Sequence, residues 1–426
     1  MKKFIEREIF AQIVRHLKKE EVTVVTGSRQ TGKTTLLLQL KDYLVKQKGI
    51  KPSQIKFFNL DLITDLEDLK SQADFIKFIK ETLSKEKFLY IFIDEIQRLE
   101  NPGKFLKGIY DLGLPVKLIV SGSSSLEIKS KIFESLAGRK MIFYLWPFSF
   151  KEYLSCFEPQ LIDLLDRRSS EVNKRKILNY LFEFVVLGGY PKVTLTKHKE
   201  EKIQILNEIY SSYVERDIVG FLKIRNPLIF TKLVTLLADQ IGGLINLREL
   251  SNSLGINFRT IENYISCLEN TFVVKTIRPY FTNTRKELTK MPKIYFADNG
   301  LRNFVLKNFR DFSESFEKDK LLENFVFSGL LKNWKGGINF WRTKDKNELD
   351  FVLRDYYGNF ILLEVKAVAL RQPELTRGLY SFIERYKPSK AYILNLSLEQ
   401  RIKFKGTQIN FILPYVLESL AKDNFK

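Results

Sequence analysis

Residues 22–35 read Val22-Thr23-Val24-Val25-Thr26-Gly27-Ser28-Arg29-Gln30-Thr31-Gly32-Lys33-Thr34-Thr35, and LLLQLKDYL follows at once. The β-branched apolar run predicts a short strand over Val22–Thr26, and the leucine-rich continuation predicts a helix. Between them stands the complete G-x-x-x-x-G-K-T pattern in the strand–loop–helix context it requires. Gly27 and Gly32 let the backbone curl, so that the N–H groups of Gly27 through Thr35 are candidates to cradle phosphate oxygens. The helix start adds its positive dipole end. Lys33 is placed to reach the β- and γ-phosphates of a nucleotide, and the Thr34 hydroxyl to ligate Mg²⁺.

Working outward, Phe88–Ile93 is an unbroken apolar run, as a central parallel strand should be. It ends in Asp94-Glu95, an acid pair at the carboxyl edge of the sheet, where ligands of such folds bind. Asp94 is then a ligand of Mg²⁺, directly or through a water, and Glu95 is placed to orient and polarise an attacking water. A third strand, Lys117–Ser121, ends in the polar run Ser121, Ser123, Ser124 and Ser125. These serines either sense the γ-phosphate or cap the helix-like LEIKSKIF that follows. Further strands are expected at Ile55–Asp61 and Met141–Leu145, with helices between most of them. Alternating strands and helices predict a parallel sheet covered by helices.

The whole chain has 426 residues, 44% hydrophobic and 28% charged. That composition excludes a disordered or collagen-like chain, and the length suggests about three domains. Two cysteines, Cys156 and Cys267, and two histidines exclude a disulfide scaffold and disfavour a zinc site, so a reduced, cytoplasmic setting is expected. No apolar run reaches the ~18–20 residues of a membrane span, and the N-terminus lacks the apolar core of a signal peptide. The formal charge is +20, spread as +3, +5, +5 and +7 over residues 1–20, 21–150, 151–300 and 301–426. No basic tail gathers it. An even excess suits an anionic partner touching several domains, and equally a lysine-rich chain with none.

Taken together, TGSRQTGKTTLL, FIDEIQRL, LIVSGSSS, SLAGRK, YLWPFSFKEYL, GGYP, YVERDI, NYISCLENTFVV and KIYFADNGLRNFV resemble the AAA+-type P-loop ATPases of archaea and bacteria that carry a fused C-terminal region. The resemblance covers essentially the whole chain. It implies ATP as the nucleotide and an extra strand between the phosphate loop and the acidic strand. It also makes Glu95 catalytic, Ser121 or Ser123 a sensor, and Arg139 a candidate finger in cis or in trans.

Beyond Trp146-Pro147 the reading turns helical up to about Leu237, interrupted by Gly188-Gly189-Tyr190-Pro191, a turn signal read as structural. Leu247–Leu254, Gly255, and Asn257 onward then predict a helix–turn–helix, with Asn257 as N-cap and Ile261, Tyr264, Ile265 and Leu268 on one buried face. A strand over Phe272–Ile277 would begin a wing. Arg259, Glu262, Asn263 and Ser266 face solvent, and Arg259, Asn263 and Arg248 are the candidates for contact with DNA, where Glu262 and Glu269 reduce the basic character and Arg248, Lys275 and Arg278 partly restore it. The alternative is a packing or oligomerisation module.

The C-terminal part predicts helix, three strands, helix, strand. Glu364 and Lys366 project from one face of the apolar strand FILLEVKAV, and a hairpin brings Asp350 towards them. Burying such a pair without purpose is costly. This pattern resembles the PD-(D/E)xK nuclease-like fold. The resemblance makes Asp350, Glu364 and Lys366 the D…ExK core, with Glu323 as the helical acid, although no proline precedes Asp350. Asp350, Glu364 and Glu323 would hold Mg²⁺, and Lys366 would position water.

The expected layout is an α/β multidomain chain. It has a P-loop AAA+-type ATPase domain with a parallel sheet (1–149), a helical linker (150–237), a winged-helix-like module (238–300) and a restriction-endonuclease-like α/β domain (301–426). The expected function is Mg²⁺-dependent ATP hydrolysis whose nucleotide state controls the DNA-facing and nuclease-like modules. The expected partners are ATP and nucleic acid, DNA rather than RNA. A homo-oligomer is compatible with this layout, and no membrane is expected. The alternative is an ATP-switched DNA- or protein-binding regulator with an inactive nuclease-like fold.

Overall fold

The computed structural model describes residues 4–123, 136–165, 169–212, 224 and 226–417. They form two compact units, Met1–Pro147 with Asn270–Phe272, and Phe148–Glu269 with Val273–Lys426. The expected layout divides the chain into four segments, 1–149, 150–237, 238–300 and 301–426, against these two units.

In the first unit, β1 (Val22–Gly27), β2 (Ile55–Asn59), β3 (Leu89–Asp94), β4 (Val116–Ser123) and β5 (Lys140–Tyr144) form a parallel sheet of order β2-β3-β4-β1-β5. β4 is the strand that the resemblance implies between the phosphate loop and the acidic strand. Successive side chains of a strand alternate faces, and both faces are covered. Val24, Ile91, Ile93 and Val120 pack with Phe75, Ile79 and Leu106 from the helices Gln72–Leu83 and Pro102–Tyr110. Val25, Phe92 and Ile119 pack with Leu36, Leu37 and Leu40 from the helix Lys33–Lys46 and with Ile13 from Phe10–His16. Burial on both faces is why these strands read as apolar runs rather than alternating ones.

At the amino edge of this sheet His16 Nδ1 shares a hydrogen bond with Thr23 Oγ1 at 2.8 Å. Beside it Lys117, 1% exposed, donates to the Lys19 carbonyl at 2.8 Å and to the Glu21 carbonyl. Burial, and then the Lys117 charge, push His16 down to about 4, while Glu21 opposes the shift and Lys19 adds to it.

The second unit holds an eight-stranded mixed sheet among the described residues. Its strands are β6 (Val274–Pro279), β7 (Lys293–Phe296), β8 (Gly337–Arg342), β9 (Glu348–Arg354), β10 (Phe360–Val365), β11 (Lys390–Leu394), β12 (Gln400–Phe404) and β13 (Thr407–Ile412). The order is β12-β13-β11-β10-β9-β8-β6-β7. The helix–turn–helix forms as expected, Leu247–Leu254 and Phe258–Asn270 around Gly255 at φ 65°. β6 pairs antiparallel with β7 and parallel with β8 through Arg278 opposite Asn339 and Pro279 opposite Phe340. Main-chain pairing therefore builds the expected wing into the C-terminal sheet.

The motifs GGYP and FADNGLRN meet in this unit. Gly188 has φ +76°, and a Cβ there would lie 2.1 Å from Asp298 Oδ1. Gly189 N donates to Asp298 Oδ2 at 2.7 Å, and Leu301 N donates to Asp298 Oδ1 at 3.0 Å. The amides of Asn299 and Asn303 donate to the carbonyls of Val185 and Val186, at 2.9 and 2.8 Å. These carbonyls end the helix Glu171–Leu187 and would otherwise be orphans. Arg302, fully buried, donates to the Ala238 carbonyl at 2.8 Å and to both oxygens of Glu317 at 3.0 and 3.1 Å. Among the described residues no helix is long and apolar enough to cross a membrane.

Two expectations follow from these buried charges. Arg302→Met leaves the Ala238 carbonyl without its partner and Glu317 with only the exposed Lys320 at 3.5 Å. It should cost about 3–5 kcal/mol in urea unfolding followed by Trp334 and Trp341 fluorescence, whereas a loss below about 1 kcal/mol would refute the buried-pair account. For His16 the folded state resists protonation, so between about pH 6.5 and about pH 4 the unfolded state binds more protons. Stability of the first unit should fall as pH drops through that window. His16→Gln should flatten the fall when unfolding is compared at pH 7 and pH 5, and an unchanged slope would exclude His16 as its source.

Candidate functional site

The phosphate-loop candidates all lie at the carboxyl edge of the first sheet. β1 is buried along its whole length and delivers Gly27 at its end. A Cβ on Gly27 would sit 2.1 Å from the Leu145 carbonyl, so only glycine fits there. Gln30 and Gly32 have φ of 59° and 91°, the left-handed turns that curl the loop. Thr31 Oγ1 donates to the Ser28 carbonyl at 2.9 Å. Arg29, Gln30, Thr34 and Thr35 are exposed.

Lys33 is 5% exposed. Its Nζ donates to the carbonyls of Ser28 and Gly27, at 2.9 and 3.3 Å. Burial pushes its pKa down, against the pull of Glu95 and Asp94, and Arg29 adds to the lowering. An ammonium seated on neutral carbonyls with its charge opposed by burial is short of an anion. That is the observation that fits a phosphate here.

Asp94, 1% exposed, ends β3, and its Oδ1 accepts from Ser121 Oγ on the neighbouring β4 and from Glu95 N at 3.2 Å. Ser121 thus touches the acid, while Ser123 stands level with Gly27 in the β1–β4 register. Ser124 and Ser125 lie outside the described residues. Glu95 takes the left-handed conformation at φ 55° and accepts a hydrogen bond from the Gln97 amide. For a bulky residue that conformation is uncommon. With the exposed Thr34, these groups gather along one edge of the sheet.

Arg139 does not join this site within the chain. Its carbonyl accepts from Val22 N at 2.8 Å, which puts it beside the start of β1, whereas the loop leaves the end of that strand. Its guanidinium is paired with Asp111 at 2.7 Å. Sequence reasoning missed Arg7, which is buried and donates to the Thr31 carbonyl at 2.8 Å and the Trp146 carbonyl at 2.7 Å. It also missed Gln97. Nothing in the spacing of either residue points to the loop.

On the helix–turn–helix, Arg248, Arg259, Glu262, Asn263 and Ser266 are all exposed. Asn257 Oδ1 accepts from Arg259 N at 2.8 Å, as a cap should. The two auxiliary cations are committed elsewhere. Lys275 pairs with Glu269 at 3.6 Å, and Arg278 donates to the Leu288 and Lys290 carbonyls at 2.6 and 3.2 Å. Of the two, only Lys275 has its charge opposed by a carboxylate, and Arg278 keeps its charge.

The C-terminal carboxylates do converge. Glu323 comes from the helix Lys318–Asn333, Asp350 from β9, and Glu364 from β10, where it is 7% exposed. Lys366 lies one residue beyond β10, its N–H bonded to the Leu394 carbonyl at 2.9 Å. Asp350 Oδ2 accepts from Val365 N at 2.8 Å. Desolvation first, then Glu323 and Glu364, hold Asp350 well above the usual carboxylate range. Burial pushes Glu364 up to about 7, and its Oε2 is buried without a hydrogen-bond partner.

A residue that sequence reasoning did not consider sits among them. Lys293 on β7, 2% exposed, donates to Glu323 Oε1 at 3.2 Å and to Glu348 Oε1 at 2.5 Å. Burial would lower its pKa, but Glu323, Asp350 and Glu348 outweigh burial and hold it above the ordinary lysine range. Tyr295, also on β7, donates to Glu323 Oε1 at 2.6 Å. Among the described residues no group of three His, Cys, Asp or Glu is arranged to hold a metal. Of the three carboxylates expected to hold a metal, only Glu323 is in an ion pair with Lys293, whose second partner is Glu348.

Two curated relatives align along nearly the whole chain. A protein of Haemophilus influenzae is 27% identical over 98% of this chain and 100% of its own length. One of Methanocaldococcus jannaschii is 28% identical over 93% of this chain and 85% of its own. Among solved structures, C. elegans PCH-2 is 16% identical, covering 48% of this chain and 59% of that one at a TM-score of 0.29. Residues 178–311 match a domain of unknown function (DUF8612), and residues 318–415 match another (DUF4143). Residues 19–154 match the family described as an AAA domain, and with the loop, sheet and acid pair above, the chain carries an AAA-type P-loop ATPase domain at its N-terminal end.

Proposed function

We propose that the chain binds and hydrolyses ATP with Mg²⁺, and that its nucleotide state controls a DNA-facing helix–turn–helix and a nuclease-like C-terminal module. The observation that carries the first half is Lys33, buried against the Ser28 and Gly27 carbonyls within the field of Asp94 and Glu95. On phosphate arrival the ammonium exchanges two neutral carbonyls for charged oxygens, a stronger hydrogen bond. The loop N–H groups and the helix start orient the phosphates. Thr34 and Asp94 would hold Mg²⁺, which neutralises developing charge on the phosphoryl oxygens when bound. Ser121 fixes the Asp94 carboxylate, and Glu95 orients the water, with Gln97 setting its side chain. Since Arg139 sits at the far edge, its use as a finger requires a second copy of the chain, which is how a homo-oligomer enters this reading.

The nucleic-acid half rests on the exposed Arg248, Arg259 and Asn263 and on the charge of +20 spread over the chain. DNA in a cytoplasmic setting is the partner this reading takes. A second reading, in which the nuclease-like fold binds without cleaving, is favoured by the ion pairs of Lys293.

Lys33→Ala should remove ATP turnover, a loss of roughly 10²-fold or more, measured by phosphate release. Unchanged turnover would displace the nucleotide site. Glu95→Gln should retain ATP binding but hydrolyse it roughly 10²–10⁴-fold more slowly, and full turnover would take Glu95 out of catalysis. For DNA, anisotropy titrations should weaken as salt rises, and Arg259→Ala should lower the slope of log K against log salt by about 1. Salt-independent binding, or a slope untouched by the substitution, would count against DNA contact on this helix.

A further inference from the structure

A divalent ion held by carboxylates needs oxygen lone pairs that converge on one point and are free. In the C-terminal cluster Glu323 and Glu348 each give one oxygen to an ammonium, within the field of Asp350. Lys293 Nζ lies 3.2 Å from Glu323 Oε1 and 2.5 Å from Glu348 Oε1, from a strand position that is 2% exposed. Tyr295 stands two residues further along β7, on the same face, and its hydroxyl takes Glu323 Oε1 again at 2.6 Å. Arg342 Nη1 takes the other oxygen of Glu348 at 3.1 Å, and Val365 N takes Asp350 Oδ2 at 2.8 Å. Glu364 Oε2 is buried without a hydrogen-bond partner. One such oxygen does not make a metal site.

We propose that Lys293 is the permanent cation of this cluster, standing where a divalent ion would otherwise be held, and that the C-terminal module binds no Mg²⁺ or Mn²⁺ there. Metal-assisted hydrolysis is then not its chemistry. The role left to the cluster is mechanical. Lys293 joins β7, which follows the helix–turn–helix in the chain, to the helix Lys318–Asn333 and to β9. β7, the helix Lys318–Asn333 and β9 are thereby tied together by buried charge, beside the main-chain pairing within the sheet. This rests on the nuclease-like reading only for the question of a metal. The test below uses no nucleotide, so its result does not depend on the ATPase reading.

The experiment is calorimetric titration of the nucleotide-free full chain with Mn²⁺, for wild type, Asp350→Asn, Lys293→Met and the double variant. Wild type and Asp350→Asn should give the same titration. Lys293→Met should gain a Mn²⁺ site roughly 10-fold or more tighter than any in wild type, and the double variant should lose it. Where Lys293→Met is too unstable to titrate, Mn²⁺ should raise its melting temperature and leave that of the wild type unmoved. Mn²⁺ binding by wild type that Asp350→Asn abolishes would overturn the proposal. So would a Lys293→Met protein that is unresponsive to Mn²⁺ in both affinity and melting temperature.

Discussion

A buried ammonium must have its charge answered, because the low dielectric around it makes an unanswered charge far costlier than in water. Two lysines meet that constraint in opposite ways here, and each defines its site. Lys33 rests on two neutral carbonyls, with Asp94 and Glu95 near enough to be felt, and burial still pushes its pKa down. Lys293 touches two carboxylates, and their field and that of Asp350 outweigh its burial. The first lysine is left wanting an anion and the second is satisfied. In this account the same side chain makes one site receptive to a phosphate and closes the other to a metal.

Backbone geometry sets both outcomes. Strand order β2-β3-β4-β1-β5 puts Ser121 against Asp94 and leaves Gly27, Lys33 and Glu95 along one edge of the sheet. Parallel strands all present the same end, so residues far apart in sequence reach that edge together, while Arg139 starts its strand at the other. In the second unit the continuous pairing β8-β6-β7 carries Lys293 to a position beside the helix that holds Glu323.

What was legible in the sequence was local. The phosphate loop is contiguous and its chemistry is tied to fixed spacing, so Gly27 through Thr35 could be placed from residues alone. The buried strands announced themselves as apolar runs, and Leu247–Asn270 as a helix–turn–helix through its capped, amphipathic pattern. The convergence of Asp350 and Glu364 followed from strand alternation. What was not legible depended on distant pairing. Arg7 reaches the loop from 24 residues upstream of Thr31. Lys293 reads as one more lysine in a lysine-rich chain until β7 is set against Glu323 and Glu348. Lys275 and Arg278 looked available for phosphate only because their partners could not be seen. The motifs GGYP and FADNGLRN gave no hint that one caps the other, since their contact joins residues 109 or more apart.

The central claim is that one buried lysine opens a site and the other closes one, and counting bound metal tests it most directly. Electron paramagnetic resonance of Mn²⁺ on the intact chain should report one ion per chain with a non-hydrolysable ATP analogue present and none without nucleotide. Mn²⁺ bound in the absence of nucleotide and lost in Glu364→Gln, or no Mn²⁺ bound with the analogue present, would contradict it.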